Sequence, residues 1–438
     1  MNEMTHTLKS LQGFVAVALL FAVVPVPVLA QATGQSRGIV ALSLTEAERM
    51  MLEKNRELQA ARRAQEAARA DSMTADRAPN PNLTLQTANI NPRFGVGAGS
   101  VRDRTVDTTI RIDQLIERGD KRELRVKTAR TLEAAVDADY ADSLRQQRQV
   151  LRSAYYDLTL AQEKTIILSD TAALFGRSLD AADLRLKAGD IAATDLSRMR
   201  VDALRAMNDA RAAEADRVRA QVALAYLIGA EASSQALRAA DPWPQSVVPS
   251  GSVDPALIER RPDVRAARER VVAAESAREL ARRLRTRDVS VGAQFEHWPQ
   301  SDANQQGTGN SFGIAISVPL FVRHAYEGDI RRAEVDLDAA RDNLERVRAL
   351  AMGELSRAWG DLQSSAERLR RYNDTLLGEA KRSADAAEFA YKNGALGIMD
   401  LLDARRTLRA TQIDAVTAHA DYGKALAAWE AGTATKDD

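Results

Sequence analysis

Glu53-Lys54-Asn55-Arg56-Glu57-Leu58-Gln59-Ala60-Ala61 returns 206 residues later as Glu259-Arg260-Arg261-Pro262-Asp263-Val264-Arg265-Ala266-Ala267. The alternating segment that begins at Leu83 returns at Val289 with the same offset. Further along, Asp113-Gln114-Leu115 aligns with Val318-Pro319-Leu320, and the Lys187-Ala188-Gly189 turn with Lys392-Asn393-Gly394, each pair 205 residues apart. One unit, written twice, therefore holds a helix, two strands, a very long helix, a glycine turn and a helix. That order suits a tunnel assembled from repeated hairpins rather than a soluble enzyme.

In the first unit, Leu44 to Ser72 reads as one helix that halts at Pro79-Asn80-Pro81. Strands follow at about 82–90 and 105–114, where Leu83, Leu85, Ile110 and Ile112 alternate with polar residues across a Gly95-Val96-Gly97-Ala98-Gly99 loop. The second unit repeats the hairpin at about 288–297 and 311–320, with Val291, Ala293, Phe295, Ile314 and Ile316 on one face and Gln300 to Asn310 as its loop. Strands of this length, apolar on one face, fit a tilted transmembrane strand; a soluble sheet covered by a helix would alternate identically. Little apolar sequence remains to cover such a sheet, which favours the barrel. The runs 119–187 and 328–392 contain no proline and read as helices of roughly 100 Å each. They reverse at compact tips, about 188–192 and 393–397, where Gly189 and Gly394 supply the left-handed conformation that ends a helix.

The ends and composition bound the class. Residues 1–30 read as a secretory signal, with Lys9 ahead of an apolar core and Val28-Leu29-Ala30 as cleavage site. The first repeat then runs over 31–240, a proline-bearing linker over 241–252, and the second repeat over 253–438. Trp243 in the linker is expected either to pack against the middle of the helices or to be an incidental interface aromatic. The chain has 0 cysteines, excluding disulfides, thiolate metal sites and a lipid-modified N-terminal cysteine. Lys+Arg and Asp+Glu balance at 61 each, leaving no basic footprint for nucleic acid.

Taken together, the Glu259–Ala267 helix start and Ala390-Tyr391-Lys392-Asn393-Gly394 followed by Met399-Asp400-Leu401-Leu402-Asp403-Ala404 resemble the TolC-like outer-membrane efflux proteins. The resemblance covers essentially the whole chain after the signal. It implies a mainly α fold with a β-barrel: two repeats, each a long helical hairpin plus two transmembrane strands. Three copies would then form a twelve-stranded barrel set in outer-membrane lipid, continued by an α-helical periplasmic tunnel. It also implies a periplasmic adaptor (membrane fusion protein) and an inner-membrane pump of RND type as partners. Arg118-Gly119-Asp120-Lys121-Arg122 and Tyr155-Tyr156-Asp157-Leu158-Thr159-Leu160-Ala161-Gln162-Glu163-Lys164 look most like the CzcC-like heavy-metal branch. Multidrug and type I secretion ducts share the architecture, and a secreted coiled-coil structural protein is the reading of a different class.

No catalytic set and no cofactor or metal site is expected, because His6, His297, His324 and His419 lie far apart and none has a second histidine at helical spacing. Asp400 and Asp403 share one helix face just past a tip. The resemblance makes them a periplasmic gate, three copies giving a ring of carboxylates; solvated charges complementing a helix dipole are the plain alternative. By the same resemblance Thr194, Asp195 and Tyr391 hold the closed state, Tyr391 donating to Asp195, while Leu396 stands where the family pattern has an arginine. Ala188, Gly189, Asp190, Asn393, Gly394 and Ala395 are the expected adaptor-docking tips.

Overall fold

The computed structural model describes residues 41–88, 90, 106–247, 254–298 and 309–434. The signal segment and most of both hairpin loops lie outside the described residues. The chain opens with α1 (Leu44–Lys54) and α2 (Arg56–Ala75), then β1 (Asn82–Ala88) and β2 (Asp107–Ile116), then α3 (Lys121–Lys187) and α4 (Ala193–Ile228). The second repeat runs α5 (Ala256–Arg260), α6 (Pro262–Arg283), β3 (Val289–Trp298), β4 (Gly309–Ser317), α7 (Glu327–Arg371), α8 (Leu377–Lys392) and α9 (Ile398–Thr433). Among the described residues no helix is long and apolar enough to cross a membrane.

The single helix expected over Leu44–Ser72 is two, because Asn55 is extended (φ −63°, ψ 127°) and caps α2, its side chain accepting from the Leu58 N–H at 3.1 Å. Its Nδ2 also donates to the Leu227 carbonyl, 3.0 Å away, so the break ties α2 to the end of α4. The counterpart 206 residues on is Arg261, extended as well (φ −60°, ψ 141°), with Pro262 as the first residue of α6. Proline at a first helical position needs no N–H and presets φ, so the second copy advertises the break that the first conceals.

The four strands form one antiparallel sheet in the order β1-β2-β3-β4. Leu83 lies opposite Ile112 and Val291 opposite Ile316. Those registers superpose with an offset of 206 on both strands, which corrects the 205 alignment of Asp113-Gln114-Leu115 with Val318-Pro319-Leu320. The offset still holds at the start of the long helices: α3 and α7 begin at Lys121 and Glu327, each preceded by a left-handed residue, Asp120 (φ 59°) and Tyr326 (φ 61°). It drops to 205 only within those helices. The second long helix is not uniformly α: a π turn, Tyr372–Leu376, separates α7 from α8. Pairing of β4 to β3 stops at Ser317 rather than at the expected 320, just before Pro319, which has no N–H for a ladder.

α3 is the spine, packed along its length by α2, α4, α6 and α9. Midway along it, Met51, Leu58, Leu151, Tyr155, Leu158, Leu224 and Ile228 form a buried cluster. The start of the linker, residues 241–247, closes over the middle of α3, and the rest of it lies outside the described residues. Tyr155 donates its hydroxyl to the Leu42 carbonyl at 2.8 Å and accepts from the N–H groups of Ala240 and Asp241 at 3.1 and 3.0 Å. Trp243 stacks between Tyr156 and His419, centroids 6.1 and 5.6 Å away, and donates to Glu163 at 2.7 Å. Trp243 is therefore a pin that fixes the linker to α3 and α9.

Candidate functional site

Both long helical stretches end in the same hydrogen-bonded turn. The Asp190 N–H reaches back to the Arg185 carbonyl and Gly189 to Leu186, with Gly189 at φ 87°. In the second repeat Ala395 reaches Ala390 and Gly394 reaches Tyr391, with Gly394 at φ 75°. This is the glycine C-cap that satisfies the last carbonyls of a helix. Asn393 adds a side-chain bond to the Phe389 carbonyl at 2.8 Å. Ala188, Gly189, Asp190, Asn393, Gly394 and Ala395 are all exposed. The two hairpins meet behind these turns through Phe175, Leu196, Met199 and Leu402. A groove of about 160 Å³ between them is lined by Ala182, Arg185, Ile191, Met199, Tyr391 and Leu401, among others.

Asp195 and Asp400 are repeat counterparts at the third position of α4 and α9, where a carboxylate complements the helix dipole. Their next-turn neighbours differ in sign. Arg198 pairs with Asp195 at 3.7 Å, whereas its counterpart is Asp403. Asp400 and Asp403 are both exposed, and neither has an ion-pair or side-chain hydrogen-bond partner among the described residues. The cations nearest in sequence are engaged elsewhere: Arg405 with Glu388 at 3.3 Å, Arg406 with Asp202, and Arg409 with Asp209 at 3.3 Å. The side chain of Lys392 and the Arg405 guanidinium hold the Glu388 carboxyl below its usual range. One tip helix thus presents two uncompensated carboxylates on one face while the other is self-neutralised.

Tyr391 does not donate to Asp195 within this chain. Its hydroxyl accepts from Arg185 Nη1 at 2.6 Å, and the Arg185 guanidinium lies 5.4 Å from its ring centroid. Thr194 is exposed beside Asp195, and Leu396 is half-buried in the turn. Sequence reading missed Arg185. Its place in the last turn of α3, facing a tyrosine of the other repeat, becomes visible only when the two hairpins are laid side by side.

At the sheet, one face carries Arg111, Asp113, Gln294, Glu296 and Ser311 in a continuous chain. Arg111 grips Asp113 at 2.8 Å and approaches Gln294 at 3.5 Å; Gln294 donates to Glu296 at 3.0 Å, and Ser311 to Glu296 at 3.3 Å. Gly292 makes room for it, because a Cβ there would lie 2.3 Å from Asp113 Oδ1. The opposite face carries Leu85, Phe312, Ile314 and Ile316, exposed by 70, 84, 84 and 70%. Such a sheet is apolar outside and polar within once it is closed. Among the described residues no group of three or more His, Cys, Asp or Glu is placed to hold a metal ion. His419 is stacked on Trp243, His324 lies edge-on to Tyr326, and His297 is beside Asn310.

Comparison with known proteins gives this geometry a context. The outer membrane efflux protein family matches residues 49–230 and 255–431. The cobalt-zinc-cadmium resistance protein CzcC of Cupriavidus metallidurans is 26% identical over 323 residues, 73% of this chain and 75% of that protein. Among solved structures, a membrane protein from Pseudomonas aeruginosa superposes with a TM-score of 0.75 at 20% identity, covering 89% of this chain and 92% of that one. The outer-membrane channel OprN gives 0.73 at 22% identity, covering 89% of each. CusC, described as undergoing conformational changes on folding and transmembrane channel formation, gives 0.72 at 17% identity, over 90% of this chain and 92% of that one.

Proposed function

This chain belongs to the outer membrane efflux protein family, and on that premise we propose that it is the passive exit duct of a tripartite assembly that expels heavy-metal cations. The family is one of channels rather than enzymes, and the protein resides in the outer membrane and extends into the periplasm. In the proposed assembly three copies close the barrel with its apolar face on lipid. The glycine tips dock a periplasmic adaptor, and an inner-membrane pump of RND type supplies the energy.

The observation that supports a cation-attracting gate is the pair of exposed carboxylates at Asp400 and Asp403, without a partner among the described residues. Clustered carboxylates in a narrow opening raise the local concentration of cations and bind multivalent ones. What favours heavy-metal cations as the cargo is the likeness to CzcC, a cobalt-zinc-cadmium resistance protein. Asp403 supports the gate reading over helix-dipole chemistry, because it lies beyond the first turn of α9, where the dipole's influence has faded.

Deletion of the gene, complemented with the intact or substituted chain, tests the reading. Zinc, cobalt and cadmium sensitivity restored by the wild type is the expected result. Sensitivity to dyes and drugs with unchanged metal tolerance would instead identify a multidrug duct.

A further inference from the structure

Resting on the trimeric-duct reading, we infer that neighbouring copies join the segment that continues β4 past Ser317 to β1 in one register. In it Val318 and Leu320, which flank Pro319, and Val322 of one copy lie opposite Thr87, Leu85 and Leu83 of the next. Among the described residues, both outer strands of the sheet, β1 and β4, present an unpaired edge. A long apolar edge is a template for another strand. Four strands are far too few to close on themselves, small barrels having about eight.

The chain contains its own template for the missing joint. Hairpin β1-β2 maps onto hairpin β3-β4 by 206 residues on both strands. The junction between the hairpins, β2 to β3, pairs Thr108 with His297, Ile112 with Ala293 and Ile116 with Val289. Moving the first member of each pair forward by one repeat lands on β4 and its extension. Moving the second back by one repeat lands on β1 of the next copy for Ala293, Val291 and Val289, whereas the image of His297, residue 91, lies outside the described residues. Ile112 with Ala293 thereby becomes Val318 with Thr87, Gln114 with Val291 becomes Leu320 with Leu85, and Ile116 with Val289 becomes Val322 with Leu83.

The side-chain pattern agrees independently. Leu320, Val322, Leu83 and Leu85 are 72, 84, 63 and 70% exposed in the single chain, and this register sets them apolar against apolar on the lipid side. A slip by one residue would turn one strand's apolar face inward. The seam also differs chemically from its template. Inside the chain, buried Lys121 at the head of α3 pairs with Asp288 at 2.8 Å and donates to the Thr286 carbonyl at 2.7 Å. The corresponding residues at the seam are Glu327 and Asn82, so the seam has no such ion pair.

Disulfide trapping reads the register directly, since the chain has no cysteine of its own. Leu320→Cys combined with Leu85→Cys, oxidised with copper phenanthroline in outer membranes, is expected to give covalent dimers and trimers on denaturing, non-reducing gels. Leu320→Cys with Leu83→Cys, or with Thr87→Cys, sets the sulfurs along a diagonal of roughly 7–8 Å between Cα atoms, beyond ordinary disulfide reach, and is expected to give none. Trimers that are seen without heating but link only through Leu83→Cys or Thr87→Cys, or through no pair, would overturn the register while leaving the duct reading intact. Absence of trimers in the cysteine-free parent would remove the reading, and the inference with it.

Discussion

His419 is half-buried on α9, its Nδ1 enclosed without a partner among the described residues and its ring stacked on Trp243. Burial holds its pKa below the ordinary 6.5, so the ring is neutral at pH 7. As pH falls through 6.5 the unfolded chain takes up a proton that the folded chain does not. The stability tied to the neutral stack is therefore full above that pH and is lost as pH falls towards the folded value, with a slope of at most about 1.4 kcal/mol per unit. Across the stack, burial pushes the Glu163 carboxyl up, which contributes the opposite slope. That contribution cancels when wild type is compared with His419→Phe. Urea midpoints followed by tryptophan fluorescence are expected to fall between pH 7 and 5 by more in the wild type than in the variant; parallel curves would show that His419 does not titrate with folding. At the tip, replacing Asp400 and Asp403 together by alanine is expected to weaken cation selectivity and trivalent-cation block in planar bilayers. Arg185→Ala, which removes the guanidinium from Tyr391, is expected to raise conductance while leaving selectivity in place.

At the scale of elements, Tyr155 joins α3 to Leu42, just ahead of α1, and to the Ala240–Asp241 backbone at the start of the linker through three hydrogen bonds, and its ring is buried. Tyr155→Phe leaves the Asp241 N–H short of its partner, while the Leu42 carbonyl and the Ala240 N–H keep the 3.1 Å bond to each other, a cost of about 1–3 kcal/mol. Leu158→Ala, in the same cluster, is expected to cost about 2–5 kcal/mol. Thermal unfolding of the trimer would measure both. On the sheet, Ile314 belongs to the exposed apolar face and Ala315 to the polar one. Arginine at Ile314 is expected to cost roughly 2–4 kcal/mol at the bilayer midplane, and much less at Ala315. Equal tolerance in a refolding assay would mean that the facing is wrong.

For the whole molecule, the proposed trimer would have six nearly equivalent hairpins from the two repeats, joined alternately within a copy and between copies. The inner joint has the Lys121–Asp288 pair, and the outer one has Glu327 and Asn82 in its place. Glu327→Lys with Asn82→Asp is expected to raise trimer stability on the order of 1 kcal/mol relative to the sum of the single changes. The comparison with single variants matters because Glu327 also accepts from the Ala325 N–H at 2.9 Å, a bond the lysine gives up. No coupling in that cycle would mean that the outer joint is not a copy of the inner one.

What the sequence determined by itself was whatever depends on local periodicity and on repetition. The period-two alternation of Val291, Ala293 and Phe295, the helix-forming runs without proline, and the glycines at 189 and 394 each constrain the backbone within a few residues. The duplicated order of elements then fixed the architecture. Tertiary structure alone decided the rest, because it concerns groups brought together from distant parts of the chain. Asn55 reads as an ordinary helix residue until the Leu227 carbonyl is beside it. Tyr391 meets Arg185 rather than Asp195 because the last turn of α3 lies against α8. The strand register, and with it the true 206-residue offset, is set by hydrogen bonding between segments that no local propensity can align. Asp400 and Asp403 were visible as residues, but their lack of partners became a fact only once Arg405, Arg406 and Arg409 were seen engaged by carboxylates on neighbouring helices.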